Sequence, residues 1–291
     1  MKAVAVSSLE WAEVSGHRAG GILFKRLLQG HPGAPDNFEF SLTKTEGDYF
    51  TPRHRHNFDQ VRYCLSGSMN YAPNKDMNAG SLGYFPEGAF YGPQAGSQGS
   101  TVVLLQLGGA SGNGFMSYEQ LNRGFEKLRA TGSFEKGTFS YRDGGGGLHK
   151  KDGYEAVWEH VNGRQVEYSK PRYEEPILMN PDNFAWIRDG NGIETKIMGE
   201  FGERGLRIGF VKLRQGFGYD VSTRESAELQ FILKGAVEVD RRDYGPETAL
   251  EFSTADTGKR IVAQEETVAL FIDQPRFESH SAAAAQASRS S

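Results

Sequence analysis

The feature that most narrows the folds open to this chain is its punctuation: 37 glycines among 291 residues, set between short runs with two-residue periodicity. Such spacing disfavours long helices and favours many short strands joined by tight turns. The alternation begins at Phe38, Phe40 and Leu42, directly after the turn-rich HPGAPDN. It continues to about Leu107 through VRYCL, SLGYF and TVVLLQL. That is the pattern of an all-β barrel or sandwich. Residues 116–131 break it. There Leu121, Phe125 and Leu128 recur at helical intervals, and a second helix is predicted from Asp152, as its N-cap, through Trp158. Gly144 to Gly147, between the two, read as a loop, since the strand, Lys and Ser/Thr of a phosphate loop are missing. Strand patterns resume at LRIGFVKL, QFILKGAVEV and VALFI. The chain is thus expected to divide into an N-terminal extension (1–36), a first β barrel (37–110), a helical connector (111–180), a second β barrel (181–278) and a disordered tail (279–291).

Charge excludes some partners. With 33 Lys and Arg against 37 Asp and Glu, the chain lacks the basic excess of a nucleic-acid binder. It has no apolar run long enough for a spanning helix, and MKAVAVSSLEWAEV lacks the apolar stretch of a secretion signal. A cytoplasmic protein with neither nucleic acid nor membrane as partner is expected. The single cysteine, Cys64, cannot form an intramolecular disulfide.

One stretch concentrates metal-capable side chains: Pro52-Arg53-His54-Arg55-His56-Asn57-Phe58-Asp59-Gln60, closed by Gly67. Side chains two apart on a strand share a face, so His54 and His56 are expected to point into one cavity and Arg55 away from it. If a turn at 57–59 starts the next strand, Gln60 reaches the same point, and alternation carries Arg62 and Cys64 inward. A buried guanidinium needs an anionic partner. A substrate carboxylate and an internal salt bridge stand as equal readings. Asp59 reads as a turn residue that could also support an imidazole. Cys64 reads as a small strand residue, since nothing near it marks an activated thiolate. His17, His31, His149, His160 and His280 lack partner spacing, and no Ser-His-Asp or Cys-His signature is visible.

These residues resemble the cupin superfamily. Its first motif runs Gly, five residues, His-x-His, three or four residues, Glu, six residues, Gly. Here Gly47, six residues, His54-Arg55-His56, three residues, Gln60, six residues and Gly67 stand in that order. Its second motif, Gly, five residues, Pro-x-Gly, two residues, His, three residues, Asn, is similar to Gly80-SLGYF-Pro86-Glu87-Gly88-Ala89-Phe90-Tyr91. Gln60 replaces the metal-binding Glu, Tyr91 the third His and Ala95 the Asn. The later half looks like a second copy. Glu228 and Gly235 repeat the end of motif one, with Ser222 and Arg224 where the histidines would be. Glu247, Ser253, Ala255 and Gly258 fill the slots of motif two. Gln60 and Glu228 stand 168 positions apart, Pro86 and Ser253 167, so an internal duplication is expected. With one carboxylate alone, Glu228 is expected to pair with Arg224 rather than hold a metal.

The resemblance implies an all-β bicupin: two double-stranded β-helix (jelly-roll) barrels with a partly helical connector, and a homodimer. It implies that His54, His56 and Gln60 hold a divalent metal ion (Fe, Mn, Ni or Zn), that Arg62 fixes a carboxylate, and that Tyr91 moves a proton. From the residues alone three readings of Tyr91 compete, a phenolate ligand, a general acid or base, and, first among them, an aromatic filling the barrel mouth among Tyr84, Phe85 and Phe90. The implied function is a metal-dependent small-molecule enzyme, first a mononuclear-metal dioxygenase acting on a small organic acid. A redox-neutral lyase or isomerase of a sugar acid or keto acid comes second, since Gln60 and Tyr91 suit that chemistry. A metal-free small-molecule binding protein follows, and a storage or structural role comes last.

Overall fold

The computed structural model describes residues 1–13, 21–46, 49–95 and 99–277. Gly47, His17, His280 and the tail expected to be disordered lie outside them. The chain divides into two compact units: residues 3–185 with 247–249, and residues 1–2, 186–246 and the chain from 250 onward.

The first unit is built on an eight-stranded sheet. Ile177–Met179, Leu82–Phe85, Asp59–Ala72, Ser100–Leu107, Phe38–Thr45, Ile22–Gln29 and Ala12–Glu13 are neighbours in that order, and Lys75–Asn78 pairs with Asp59–Ala72. The strand at Ile22–Gln29 returns antiparallel onto Phe38–Thr45 through the HPGAPDN turn. Asp59–Ala72 is central. Gln60 lies opposite Gln106 on one side and Phe85 on the other, and Arg62 opposite Leu104 and Gly83. Directly opposed residues share a face, so Gln60, Arg62, Leu104 and Gln106 project together. All four line one cavity.

The central strand's hairpin depends on Gly67. Its φ is +74°, and a Cβ there would lie 2.2 Å from the Gly99 carbonyl oxygen. Gly235, 168 positions on, repeats both constraints, with φ +81° and a Cβ that would fall 2.4 Å from the Glu266 carbonyl oxygen. Only glycine meets such a demand without strain. The duplicate of Gly80 kept the backbone and lost the glycine: Glu247 holds φ +55° where Gly80 has +83°.

The two expected helices form. α1 (Tyr118–Arg129) opens with a capping box between Ser117 and Gln120. α2 (Gly153–Asn162) is capped by Asp152, whose carboxylate accepts from the Tyr154 and Glu155 amides, and it closes on Gly163 at φ +66°. Between them lies a three-stranded sheet, Gly132–Glu135, Thr138–Arg142 and Leu148–Asp152, that the sequence pattern did not reveal. Its segments are short and the last, Leu148–Asp152, is mostly polar, so they carry little periodicity. The Gly144 to Gly147 loop is the turn joining the last two strands. There the Asp143 carboxylate accepts from the Gly145 and Gly147 amides. The apolar face of α1 is buried with α2 in one cluster, Leu121 and Phe125 against Val157 and Trp158, and this cluster also contains Phe58, Phe115 and Tyr154.

The second unit repeats the strand arrangement. Glu228–Lys234, Thr267–Asp273, Leu206–Leu213, Ile193–Phe201 and Ile187–Arg188 are consecutive neighbours in one sheet. Gly218–Asp220, Arg260–Ala263, Val237–Val239 and Arg242–Tyr244 form another. Among the described residues no helix is long and apolar enough to cross a membrane.

Candidate functional site

The first barrel holds a half-open cavity of about 120 Å³. His54, His56, Gln60, Arg62 and Tyr91 all line it; Cys64 does not. Cys64 keeps the register of Arg62, opposite Val102, with the bulge falling just beyond it, and it is buried with Met69, Met77 and Val102. Burial pushes its thiol pKa up, which suits an inert packing residue.

His54 and His56 reach the cavity without lying on a regular strand. Pro52 has no N–H to give a ladder, and pairing lapses between Thr51 and Asp59 apart from one antiparallel bridge. In that bridge His54 and Tyr91 exchange both backbone hydrogen bonds, at 2.9 and 3.0 Å. The bridge brings the rings together: His54 to His56 is 4.9 Å and His54 to Tyr91 4.4 Å between centroids. Arg55 turns outward, its guanidinium 3.7 Å from the Tyr168 ring centroid and 4.8 Å from that of Phe90.

Arg62 organises the polar side of the cavity. Its Nε and Nη2 donate to Gln60 Oε1 at 2.9 and 2.6 Å, and Nη2 also donates to the Tyr91 hydroxyl at 3.0 Å. The guanidinium lies over the Phe85 ring at 4.2 Å. Among the described residues its Nη1 meets only the Met69 sulfur, at 4.0 Å. Arg62 is 7 % exposed, and among the described residues no carboxylate lies within ion-pair distance of it.

The orientation of Gln60 follows. A guanidinium only donates, so the amide atom facing it is oxygen, and the Gln60 NH₂ faces His56 Nδ1 at 2.8 Å. Nδ1 is then an acceptor, and the proton of neutral His56 sits on Nε2. The Tyr91 hydroxyl is also 2.9 Å from Nδ1. Tyr91 thus touches both a fixed cation and a basic nitrogen, while its ring packs edge-on against Phe85 at 5.0 Å. Of its expected aromatic neighbours, Phe90 is 40 % exposed between the guanidinium groups of Arg53 and Arg55.

Asp59 is not a simple turn residue. It is buried, accepts from the Tyr84 hydroxyl at 2.9 Å and the Glu87 amide at 2.7 Å, and so ties the central strand to the second-motif loop. Sequence reasoning missed the wall supplied by the connector: Phe115, Tyr118, Leu121 and Tyr154 all line the cavity. Tyr154 donates to Asn57 at 2.7 Å and meets His56 edge-on at 5.4 Å. The available signal was the apolar stripe of α1, which had to bury against something.

As placed, these residues do not fit a divalent metal ion. The donor set is two imidazoles and one neutral amide. The amide oxygen is already held by a permanent cation, which would also repel a metal beside it. Among the described residues no carboxylate lines the cavity.

In the second unit the expected Glu228–Arg224 pair does not form. Glu228 lies directly across from Asp273 and accepts from the Gln230 amide, while Asp273 pairs with Arg207 at 2.9 Å. Cross-strand neighbours meet by register, and Arg224 lies outside the paired strand. Burial raises the Glu228 pKa to about 7, with Asp273 adding to the shift and Arg207 opposing it. In the first barrel, burial raises Glu39 to about 8, opposed by Arg26 at 3.2 Å.

Two repeated jelly-roll units joined through a partly helical segment define the fold as that of a bicupin. No family model matches the chain. No curated protein matches it either. Solved structures do. A candidate dioxygenase from Nostoc punctiforme matches 96 % of this chain and 84 % of its own length, at 12 % identity and a TM-score of 0.62. A candidate glyoxylate-induced protein from Pseudomonas aeruginosa matches 95 % and 89 %, at 9 % identity and 0.59. Oxalate decarboxylase from Bacillus subtilis matches 94 % and 76 %, at 15 % identity and 0.55. At these identities the likeness is one of fold.

Proposed function

We propose that the first barrel is the active pocket of a redox-neutral enzyme, a lyase or isomerase, acting on a small carboxylate. The carrying observation is Arg62, buried against Gln60 and Tyr91 with no carboxylate partner among the described residues. A guanidinium stays charged, and a buried charge left uncompensated costs several kcal/mol. A ligand carboxylate supplies the missing charge, with the Nη1 side available to it. Tyr91 is then the proton carrier at the substrate. Arg62 stabilises its phenolate form, and His56 Nδ1, 2.9 Å from the hydroxyl, takes the proton as the Gln60 N–H gives up the same lone pair.

The test pairs binding with turnover. Small carboxylates should raise the melting temperature of the wild type and leave Arg62→Met unmoved, and Tyr91→Phe should keep binding while losing turnover. Equal shifts in wild type and Arg62→Met would overturn the carboxylate reading.

One observation favours a metal-dependent enzyme, such as a dioxygenase, as the second reading. His54 Nδ1 donates to the Pro52 carbonyl at 2.6 Å, which places the lone pair on Nε2, as in a metal-ligating imidazole. That reading requires the Gln60 amide to leave Arg62. Near-stoichiometric Fe, Mn, Ni or Zn in purified protein, lost in a His54→Ala, His56→Ala double variant, would select it.

A further inference from the structure

The cavity's charge and its spent hydrogen bonds bear on which carboxylate it takes. Among the described residues Arg62 is the one Lys or Arg that lines it, and no Asp or Glu does. Most of the remaining polar side chains there are engaged within the protein. Thr43 donates to the Val102 carbonyl, and Thr45 bonds Ser100. Tyr49 donates to Gln94, and the Gln94 amide donates to the Asn70 carbonyl. Tyr118 donates to Gln106, and Tyr154 to Asn57. These groups contribute shape more than donors. Apolar surface comes from Phe58, Phe115 and Leu121 of the cluster under α1, and from Val102 and Leu104 of the barrel wall. An apolar cavity of roughly 150 Å³ admits benzene, so about 120 Å³ admits a body of similar or slightly smaller size.

We infer that the pocket selects a monocarboxylate with a compact, uncharged, largely apolar body, an aryl or branched aliphatic acid, against dicarboxylates and polyhydroxy acids. The inference rests on the carboxylate reading of Arg62 and narrows it. A second carboxylate would enter without a permanent cation to meet it. The hydroxyls of a sugar acid would lose water to a wall whose donors and acceptors are already committed.

Calorimetric titration tests it, with benzoate and 3-methylbutanoate against succinate and gluconate, each into wild type, Arg62→Met and Leu121→Phe. The expected result is that the first two bind at least about tenfold more tightly than the last two, the discrimination that one unpaired polar group imposes. Both should lose binding in Arg62→Met, and benzoate should lose it in Leu121→Phe, which shrinks the cavity. Succinate or gluconate binding as tightly as benzoate, with dependence on Arg62 retained, would overturn the inference and leave the carboxylate reading standing. Binding indifferent to Arg62, or no binding by any of the four, would overturn both.

Discussion

Arg62 donates two hydrogen bonds to Oε1 of Gln60, and this contact decides which way the amide faces His56. One cation thereby fixes a side-chain orientation, and that orientation fixes a tautomer two residues further along the network. Long-range proton–nitrogen NMR of the His56 ring is expected to show Nε2 protonated and Nδ1 bare near neutral pH. In Gln60→Leu the preference should weaken. A wild-type spectrum with the proton on Nδ1 would contradict the network.

Replacing Gln60 by Glu places a carboxylate where Arg62 now meets an amide oxygen. The internal pair should satisfy the guanidinium and remove its demand for an outside anion. Affinity for small carboxylates is expected to fall by about tenfold or more, the worth of one charge-assisted pair. Calorimetry checks it, and undiminished affinity in Gln60→Glu would count against Arg62 as the anchor.

The buried carboxyls make stability depend on pH. Burial raises Glu228 from 4.5 to about 7 and Glu39 from 4.5 to about 8, so the folded chain holds protons that the unfolded chain has released. Their contribution is present in full below pH 4.5 and is lost as pH rises through 7 and 8. For Glu228 the loss is about 3 kcal/mol at most. Urea unfolding of Glu228→Gln should show a shallower fall in stability from pH 5 to 7, and Glu39→Gln should flatten it from pH 5 to 8. An unchanged slope in both variants would contradict the assignment.

Gly67→Ala forces a side chain into the left-handed region and into the Gly99 carbonyl. A cost of about 1–3 kcal/mol is expected in denaturant unfolding. Gly235→Ala should behave alike, since the Glu266 carbonyl stands in the same way. A neutral effect at both positions would mean that the two hairpins are not equivalent.

The fold was legible because its cues are local. Period-two runs, turn residues and a glycine pair 168 positions apart are all visible in one dimension. The convergence of His54, His56, Gln60, Arg62 and Tyr91 on one cavity followed from alternation and motif spacing, although the histidines reach it through an irregular segment instead of a strand. Two things were not legible. The turn of the Gln60 amide toward Arg62 depends on side-chain torsions that no spacing encodes. The wall formed by Phe115, Leu121 and Tyr154 depends on how two helices dock, and their apolar stripes announce burial without naming its target. The Glu228–Asp273 contact failed to show for a similar reason: cross-strand register joins residues 45 positions apart, while Arg224 was close only in sequence.

The most direct test of Arg62 as a carboxylate anchor is the titration of benzoate into chelator-treated, metal-free protein, wild type beside Arg62→Met, with metal content measured on the same samples. Saturable binding by the metal-free wild type and none by Arg62→Met is the result predicted. Binding that appears only when a divalent metal is restored, or that is equal in the two proteins, would contradict it.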